Sequence, residues 1–139
     1  MLNAALSNQI KAQALPLGLQ AVGFAKAERL DSEAKYLEQW LNQQRNGKMG
    51  YLETYFDKRV DPRLLVDGAK TVISLSYNYF TEQHQLDETA PKIAMYAYGA
   101  DYHVVVKEKL EQLLKFIREQ NGDINGRCFV DSAPVLERA

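Results

Sequence analysis

The last twelve residues, Cys128–Ala139, most narrowly limit what this chain can fold into. Their first three residues form a short apolar run of the kind that ends a buried strand. Asp131 follows as a candidate helix N-cap, Pro134 suits a first helical turn, and Val135–Arg138 begins a helix. A strand that leads straight into a helix predicts an α/β fold. Because that helix has barely one turn at Ala139, we expect the chain to be the N-terminal part of a longer protein.

The remaining pattern alternates between helical and extended segments. Apolar residues at helical spacing predict amphipathic helices over 3–15, 32–45 and 101–121, with a further short helix over 51–56. Short apolar runs predict strands over 21–25, 71–77, 93–98 and 127–131. The run 71–77 is apolar enough to lie centrally in a sheet. The fold class that follows is α/β, with a layered mixed sheet and flanking helices.

Composition limits which classes of function can be argued. The 17 basic and 18 acidic residues leave a net charge of −1. This balance gives no electrostatic footprint for nucleic acid, so a nucleic-acid role cannot be argued from charge alone. Cys128 is the one cysteine, so an internal disulfide or a cysteine-based metal or iron–sulfur site is excluded within this sequence. The N-terminus lacks the features of a signal peptide, and no apolar run approaches the roughly 18 residues that span a bilayer. We therefore expect a cytoplasmic protein with no membrane partner.

Asp131 is the first candidate for chemistry. It would lie at the carboxyl end of a buried strand, where open α/β sheets bind their ligands. Its apolar neighbours Phe129, Val130, Ala133 and Pro134 could desolvate the carboxyl group enough to keep it protonated, as a general acid requires. The alternative is that Asp131 only caps the helix that follows.

The second candidate is the segment Tyr96–His103, which precedes and enters the helix over 101–121. Its glycine lets the backbone approach a ligand closely, and its tyrosines supply flat faces and hydroxyl groups. His103 lies in the first helical turn, where amide donors are unpaired. In the alternative interpretation Asp101 is a cap, Tyr102 belongs to the core and His103 is a surface residue.

The third candidate is the turn segment Arg59–Arg63. Two arginines held in a turn could clamp an anionic or amide-rich ligand. Arginines in a loop are more often solvated, and that alternative stays open. Neither a glycine-rich phosphate loop nor a Ser/His/Asp set is visible in the sequence.

Taken together, five segments in this order resemble the first half of the epoxyqueuosine reductases. They are Gly47–Leu52, Lys58–Leu65, Gly68–Ile73, Tyr96–His103 and Phe129–Arg138. The resemblance implies a cobalamin-binding α/β domain, similar in plan to reductive dehalogenases, followed by a ferredoxin-like domain with two 4Fe–4S clusters. It also implies an oxidoreductase that converts the epoxide of epoxyqueuosine in tRNA to the cyclopentene of queuosine.

The resemblance also assigns roles to residues of this chain. Asp131 matches the aspartate that donates the proton when the epoxide opens, beside the cofactor. Arg59 matches a position that contacts cobalamin, and Ala94 falls where the chain passes the corrin. Some members of the family have cysteine at the position of Ala94, so a thiol contact is not implied here. His103 is implied to lie in the cofactor pocket.

The cysteine-rich motifs of the ferredoxin-like domain are not in this sequence, and Cys128 alone cannot hold a cluster. Residues 1–139 are therefore expected to be an incomplete N-terminal part of the cobalamin-binding catalytic domain, inactive alone. The expected partners of the whole enzyme are tRNA and an electron donor protein that the sequence does not identify. The alternative function is a cobalamin-binding or trafficking module without redox activity. A truncated product without any ligand is a third possibility.

Overall fold

A computed structural model describes residues 4–87, 89–131 and 133–136. Its α-helices are α1 (Ala4–Ala14), α2 (Asp31–Asn42), α3 (Phe56–Val60) and α4 (Tyr102–Asn121). Its strands are β1 (Leu19–Lys26) and β2 (Thr71–Tyr77), and short 3-10 turns cover Leu15–Leu17, Gly50–Leu52, Pro62–Leu64 and Met95–Ala97. These elements confirm the predicted α/β class.

The sheet of the described residues consists of β1 and β2, paired antiparallel. The register runs from Leu19 opposite Tyr77 to Lys26 opposite Thr71, with an irregularity between Leu19 and Ala21. The mixed sheet expected from the sequence is therefore wrong for this part of the chain. The prediction that 71–77 lies centrally is also wrong here, because β2 pairs on one side only.

The core lies where α1, β1 and α4 meet. Leu6, Ile10 and Ala14 recur every four residues and so form the buried face of α1. They pack with Leu19 of β1 and with the buried residues Leu113 and Ile117 of α4. This cluster fixes the C-terminal half of α4 against the sheet.

A polar contact reinforces the same junction. The Lys109 ammonium group on α4 donates a 2.9 Å hydrogen bond to the carbonyl oxygen of Leu17. Its Nζ also lies 5.5 Å from the centre of the Tyr77 ring at the end of β2. Gly18 follows the turn with φ +80, a left-handed conformation that glycine adopts without steric cost. The chain therefore reverses sharply between α1 and β1, which brings both elements onto α4.

Two predicted strands and the short helix predicted over 51–56 are not formed; 51–56 spans the end of a 3-10 turn, an irregular stretch and the first residue of α3. The run 93–98 contains an exposed 3-10 turn, and 127–131 is irregular. Val135 and Leu136 are not helical, while the rest of the predicted terminal helix lies outside the described residues. An apolar run becomes a strand only when a neighbouring strand satisfies its backbone hydrogen bonds. Among the described residues, neither run pairs with β1 or β2.

Contacts with α4 take the place of strand pairing after residue 121. Arg118 Nε donates to the carbonyl oxygen of Ile124 at 3.2 Å, and Ile124 packs against the core. A Cβ at Gly126 would lie 2.8 Å from a methyl group of Leu114, so glycine permits the close approach. The segment 122–131 therefore runs back along α4 toward its N-terminus.

Ile10→Ala should lower the free energy of unfolding by about 3 kcal/mol, because it removes buried methyl groups and leaves a cavity. Ile10 is fully buried, whereas Leu15 nearby is 62% exposed. Leu15→Ala should therefore change stability by less than about 0.5 kcal/mol. Urea unfolding of the two variants measures the difference. Equal losses would contradict the assignment of the core.

Candidate functional site

The N-terminus of α4 holds an aspartate–histidine pair. The Asp101 carboxylate accepts a 2.9 Å hydrogen bond from the backbone N–H of His103, which caps the helix as predicted. The same oxygen lies 2.8 Å from Nδ1 of the His103 ring. These two contacts hold the pKa of Asp101 below its ordinary value. They also fix the imidazole, whose Nε2 has no hydrogen-bond partner within the described ranges.

Between these two residues, Tyr102 reaches a second carboxylate. Its hydroxyl group donates a 2.5 Å hydrogen bond to Oδ2 of Asp131, which is 29 positions further along the chain. This bond raises the pKa of Tyr102 to about 12, with smaller contributions from burial and from the negative charge of Asp131. The phenol therefore stays protonated and remains a donor at neutral pH.

Asp131 itself differs from both predictions made for it. Its side chain is exposed, so the expected desolvation by apolar neighbours is wrong. Among the described residues after it none is helical, so a role as a helix cap has no support either. Its backbone has φ +51, the left-handed region that aspartate tolerates better than most residues. The irregular segment thus presents a carboxylate to solvent beside α4.

An aromatic row leads to this carboxylate. The Tyr102 ring stacks on His103 with centres 4.1 Å apart, and the edge of Tyr96 meets Tyr102 at 6.0 Å. Tyr79 in turn meets Tyr96 at 6.3 Å. We call these four residues the aromatic row. The Tyr102 ring is therefore held by two aromatic contacts, one stacked and one perpendicular.

A groove lies between one face of α4, from His103 to Arg118, and the segment 126–130 with Ala133. Its volume is about 870 Å³, and it is open to solvent. His103, Lys107 and Glu111 line it from α4, while Cys128, Val130 and Ala133 line it from the other side. Burial raises the pKa of the Cys128 thiol. We call this feature the α4 groove. Asp131 does not line it but directly follows Val130, which does.

The two arginines of Arg59–Arg63 do not form the clamp considered above. Arg63 pairs in bidentate fashion with Asp61, at 2.8 Å from Nε and 2.7 Å from Nη2. Arg59 donates to the carbonyl oxygens of Thr54 and Tyr51, at 3.1 and 2.8 Å. Neither guanidinium group is simply solvated, because each one is engaged by a neighbouring turn. The joint clamp is therefore wrong, and only Arg59 remains as a candidate.

A backbone bond connects Arg59 to the chain beyond Asp131. The N–H of Leu136 donates to the carbonyl oxygen of Arg59 at 3.0 Å. Ala94 is exposed and precedes the turn Met95–Ala97, whose Tyr96 belongs to the aromatic row. The structure therefore brings His103 and Asp131 together through Tyr102. It links Arg59 and Ala94 to them only through intervening segments.

Sequence reasoning missed the role of Tyr102. The sequence predicts that Tyr102 offers a flat face and a hydroxyl group to a ligand, or that it belongs to the core, but does not indicate a bond to Asp131. No periodic pattern relates positions 102 and 131, so the contact depends on how the segment 122–131 folds back. The available signal was the position of Tyr102 directly after a helix cap. There its side chain projects from the helix end that faces the returning segment.

Two kinds of site are not found in the part of the chain that the structure describes. No group of three or more His, Cys, Asp or Glu side chains is placed to hold a metal ion. No described helix combines the length and apolar character needed to cross a membrane.

The fold and the site define a small α/β unit that presents an aspartate and an aromatic row at the end of a long helix. Residues 59–132 match the family model described as "Epoxyqueuosine reductase QueG, DUF1730". The match covers more than half of the chain, and the chain belongs to this family. The matched range contains the candidate residues Arg59, Ala94, His103 and Asp131.

Curated relatives carry the same name. The chain is 56% identical over 133 residues to an epoxyqueuosine reductase of Cellulophaga algicola, covering 96% of this chain and 43% of the relative. It is 53% identical over 131 residues to one of Cyclobacterium marinum, covering 93% of this chain and 42% of the relative. The chain thus spans less than half the length of these relatives.

Solved structures match at the level of the fold. A selenomethionine-labelled epoxyqueuosine reductase aligns with TM-score 0.77 and 26% identity, over 94% of this chain and 36% of the other. An epoxyqueuosine reductase with an epoxyqueuosine-modified tRNA stem loop aligns with TM-score 0.73 and 26% identity, over the same shares. A Bacillus subtilis epoxyqueuosine reductase, described with its aspartate catalytic loop swung out of the active site, aligns with TM-score 0.65 and 26% identity. That match covers 86% of this chain and 33% of the other.

Alkaline titration of the tyrosinate absorbance should reveal one of the eight tyrosines ionising near pH 12. Tyr102→Phe should remove this step. Asp131→Asn should move it back toward about pH 10, because a neutral amide carries no charge and accepts a weaker hydrogen bond.

The folded-state pKa of Tyr102 lies above its unfolded value, so the contact stabilises the fold fully below about pH 10. That stability should be lost as the pH rises toward 12. The contrary result would be that the tyrosine lost in Tyr102→Phe ionises near pH 10, together with the other tyrosines. That result would show that the bond to Asp131 is absent.

Asp61→Asn should destabilise the fold by about 1–2 kcal/mol at pH 7, since it weakens the hydrogen bonds that a carboxylate accepts from Arg63. Those bonds hold the pKa of Asp61 below its ordinary value. The deficit should be full above about pH 5 and should shrink as the pH falls through the lowered native pKa.

Asp123, which is exposed, provides the matched control. Asp123→Asn should change stability by less than about 0.5 kcal/mol at each pH. Urea unfolding between pH 3 and about pH 7 measures both variants. A pH-independent deficit for Asp61→Asn would contradict a charged pair.

Proposed function

We propose that this chain forms part of an epoxyqueuosine reductase, an oxidoreductase that reduces the epoxide of epoxyqueuosine in tRNA to the cyclopentene of queuosine. The family match over 59–132 and the names of the relatives support this assignment. The structure of a relative with an epoxyqueuosine-modified tRNA stem loop supports tRNA as the macromolecule that carries the substrate. A cytoplasmic location and an electron donor protein complete the proposal.

The observation that carries the proposal is the exposed Asp131 carboxyl group, which Tyr102 holds at 2.5 Å beside the α4 groove. Opening an epoxide leaves an alkoxide, which departs poorly unless it is protonated. A carboxylic acid fixed next to a groove can deliver that proton in the transition state. The Bacillus subtilis relative is described with a catalytic aspartate on a loop, which supports an acid on an irregular segment here.

The surface along 94–103 fits the cobalamin that the resemblance implies. Ala94, Ala97 and Ala100 are exposed, and the space around Gly99 is open to 4 Å at the position of an added Cβ. Small residues let a large flat ring lie close to the backbone, and the exposed ring of Tyr96 offers apolar contact. Bound cobalamin would supply electrons for reduction of the epoxide.

Within this proposal, Ala94 gives close backbone approach, and His103 and Arg59 give polar contacts. The Nε2 atom of His103 and the Nη1 group of Arg59 have no hydrogen-bond partner among the described residues. Both groups can therefore bind amide or anionic substituents of a cofactor. The implied domain plan, similar to reductive dehalogenases, belongs to the same proposal. So do two 4Fe–4S clusters, whose thiolates would come from outside this sequence.

Asp131→Asn tests the proposed acid in an enzyme of the relatives' full length that carries this segment. Turnover of epoxyqueuosine tRNA should fall by about 10²- to 10⁴-fold, because the amide cannot donate the proton. Cobalamin retention after desalting, and the visible spectrum of the bound cofactor, should be nearly unchanged. Loss of both turnover and retention would make Asp131 structural, and unchanged turnover would exclude it as the acid.

Asp123→Asn again serves as the matched control, since it makes the same chemical change at an exposed position away from the groove. It should retain both turnover and cobalamin. A comparable loss in the control would show that the assay reports folding rather than proton transfer.

A further inference from the structure

The Asp131 carboxylate depends on one neighbour for its orientation. Among the described residues, the hydroxyl group of Tyr102 is its hydrogen-bond partner. The backbone at Asp131 is in the left-handed region, and the side chain is exposed. Packing therefore contributes little to fixing this carboxyl group, and a single hydrogen bond must do so.

Tyr102 is suited to that task because it is itself held firmly. It is the first residue of α4, directly after the Asp101 cap. Its ring stacks on His103 and makes a perpendicular contact with the ring of Tyr96. A donor that is fixed by a helix end and by two rings loses little conformational entropy when it binds a carboxylate.

A phenol also suits an acid that cycles between protonation states. A tyrosine hydroxyl both donates and accepts, so it can bind the carboxylate form and the protonated form of an aspartate. A phenol keeps its own proton throughout the neutral range, and the raised pKa of Tyr102 extends that range to more alkaline pH. A lysine or arginine in this place would favour only the ionised carboxylate.

We propose that Tyr102 is a positioning residue, which orients the exposed Asp131 carboxyl group for proton transfer to the bound substrate. This inference rests on the proposed function, because it requires Asp131 to act as an acid. It adds a residue that neither the family match nor the names of the relatives assign. It also separates the role of the Tyr102 hydroxyl from that of its ring.

Tyr102→Phe is the direct test, because phenylalanine keeps the contacts with Tyr96 and His103 and removes only the hydroxyl. In an enzyme of the relatives' full length that carries this segment, kcat should fall by about 10- to 100-fold through misplacement of the acid. The KM for epoxyqueuosine tRNA should stay nearly constant. The double variant with Asp131→Asn should be no slower than Asp131→Asn alone, because both changes disable one unit.

Tyr36→Phe is the matched control, since Tyr36 is an exposed tyrosine of α2, and it should leave kcat unchanged. Full turnover by Tyr102→Phe, with Asp131→Asn inactive, would overturn the positioning role and leave the proposed function intact. Full turnover by Asp131→Asn would instead overturn the acid assignment in the proposed function. A rise in KM with kcat unchanged would make Tyr102 a substrate contact and would also overturn its positioning role.

A second measurement covers the case in which Tyr102→Phe does not fold. Fluorinated tyrosine at position 102 keeps the ring and the hydroxyl and changes only the acidity of the phenol. Values of kcat that follow this acidity would support the inference. Values that do not change across the fluorinated series would overturn it.

Discussion

The burial of Ile10, Leu19 and Leu113 in one cluster is the constraint on which the rest of this structure depends. The sheet has two strands in the described residues, and a hairpin-sized sheet is marginal alone. Helices α1 and α4 must therefore cover it, and the cluster holds them there. Because α4 has 20 residues, it extends well beyond its anchored end. Tyr102 lies roughly 16 Å along the axis from Leu113 at 1.5 Å per residue.

This arrangement separates stability from chemistry along one helix. The C-terminal half of α4 packs one face into the core through Leu113 and Ile117, while its first turn holds the Asp101–His103 pair and the Tyr102–Asp131 bond. Charged and polar groups at the first turn can thus be exposed without weakening the core. The two carboxylates are also kept distinct, because Asp101 pairs with a histidine and Asp131 with a phenol. The helix acts as a rigid arm that carries the site away from the core.

Sequence reasoning predicted the elements that short-range patterns determine. The apolar repeat from Tyr102 to Ile117 and the Asp101 cap predicted α4, and the β-branched run 71–77 predicted β2. The predicted strands over 93–98 and 127–131 failed because a strand needs a partner, and the partner is a property of the whole fold. The apolar run at 128–130 instead lines the α4 groove, where Gly126 lets it approach Leu114. Composition and spacing do not indicate whether such a run pairs as a strand or packs against a helix.

For the site as well, local patterns predicted candidate residues but not their long-range contacts. Residue patterns singled out Asp131, His103 and Arg59 but left a cap, a surface position and a solvated loop as open alternatives for them. The family resemblance then assigned their roles and added Ala94. Asp131 was expected to be desolvated, yet it is exposed, because its neighbours Val130 and Ala133 face the groove. The bond from Tyr102 needed the return of the chain along α4. Long-range polar contacts of this kind are invisible to local patterns.

The left-handed backbone at Asp131 has a consequence for which acids this position can hold. At φ +51 most side chains crowd the following carbonyl, and only glycine, asparagine and aspartate adopt such a conformation readily. Glutamate has the same functional group but lacks the short side chain that eases this conformation. The backbone therefore favours aspartate over an acid that is chemically equivalent. Residue choice here is governed by local geometry as much as by the need for a proton donor.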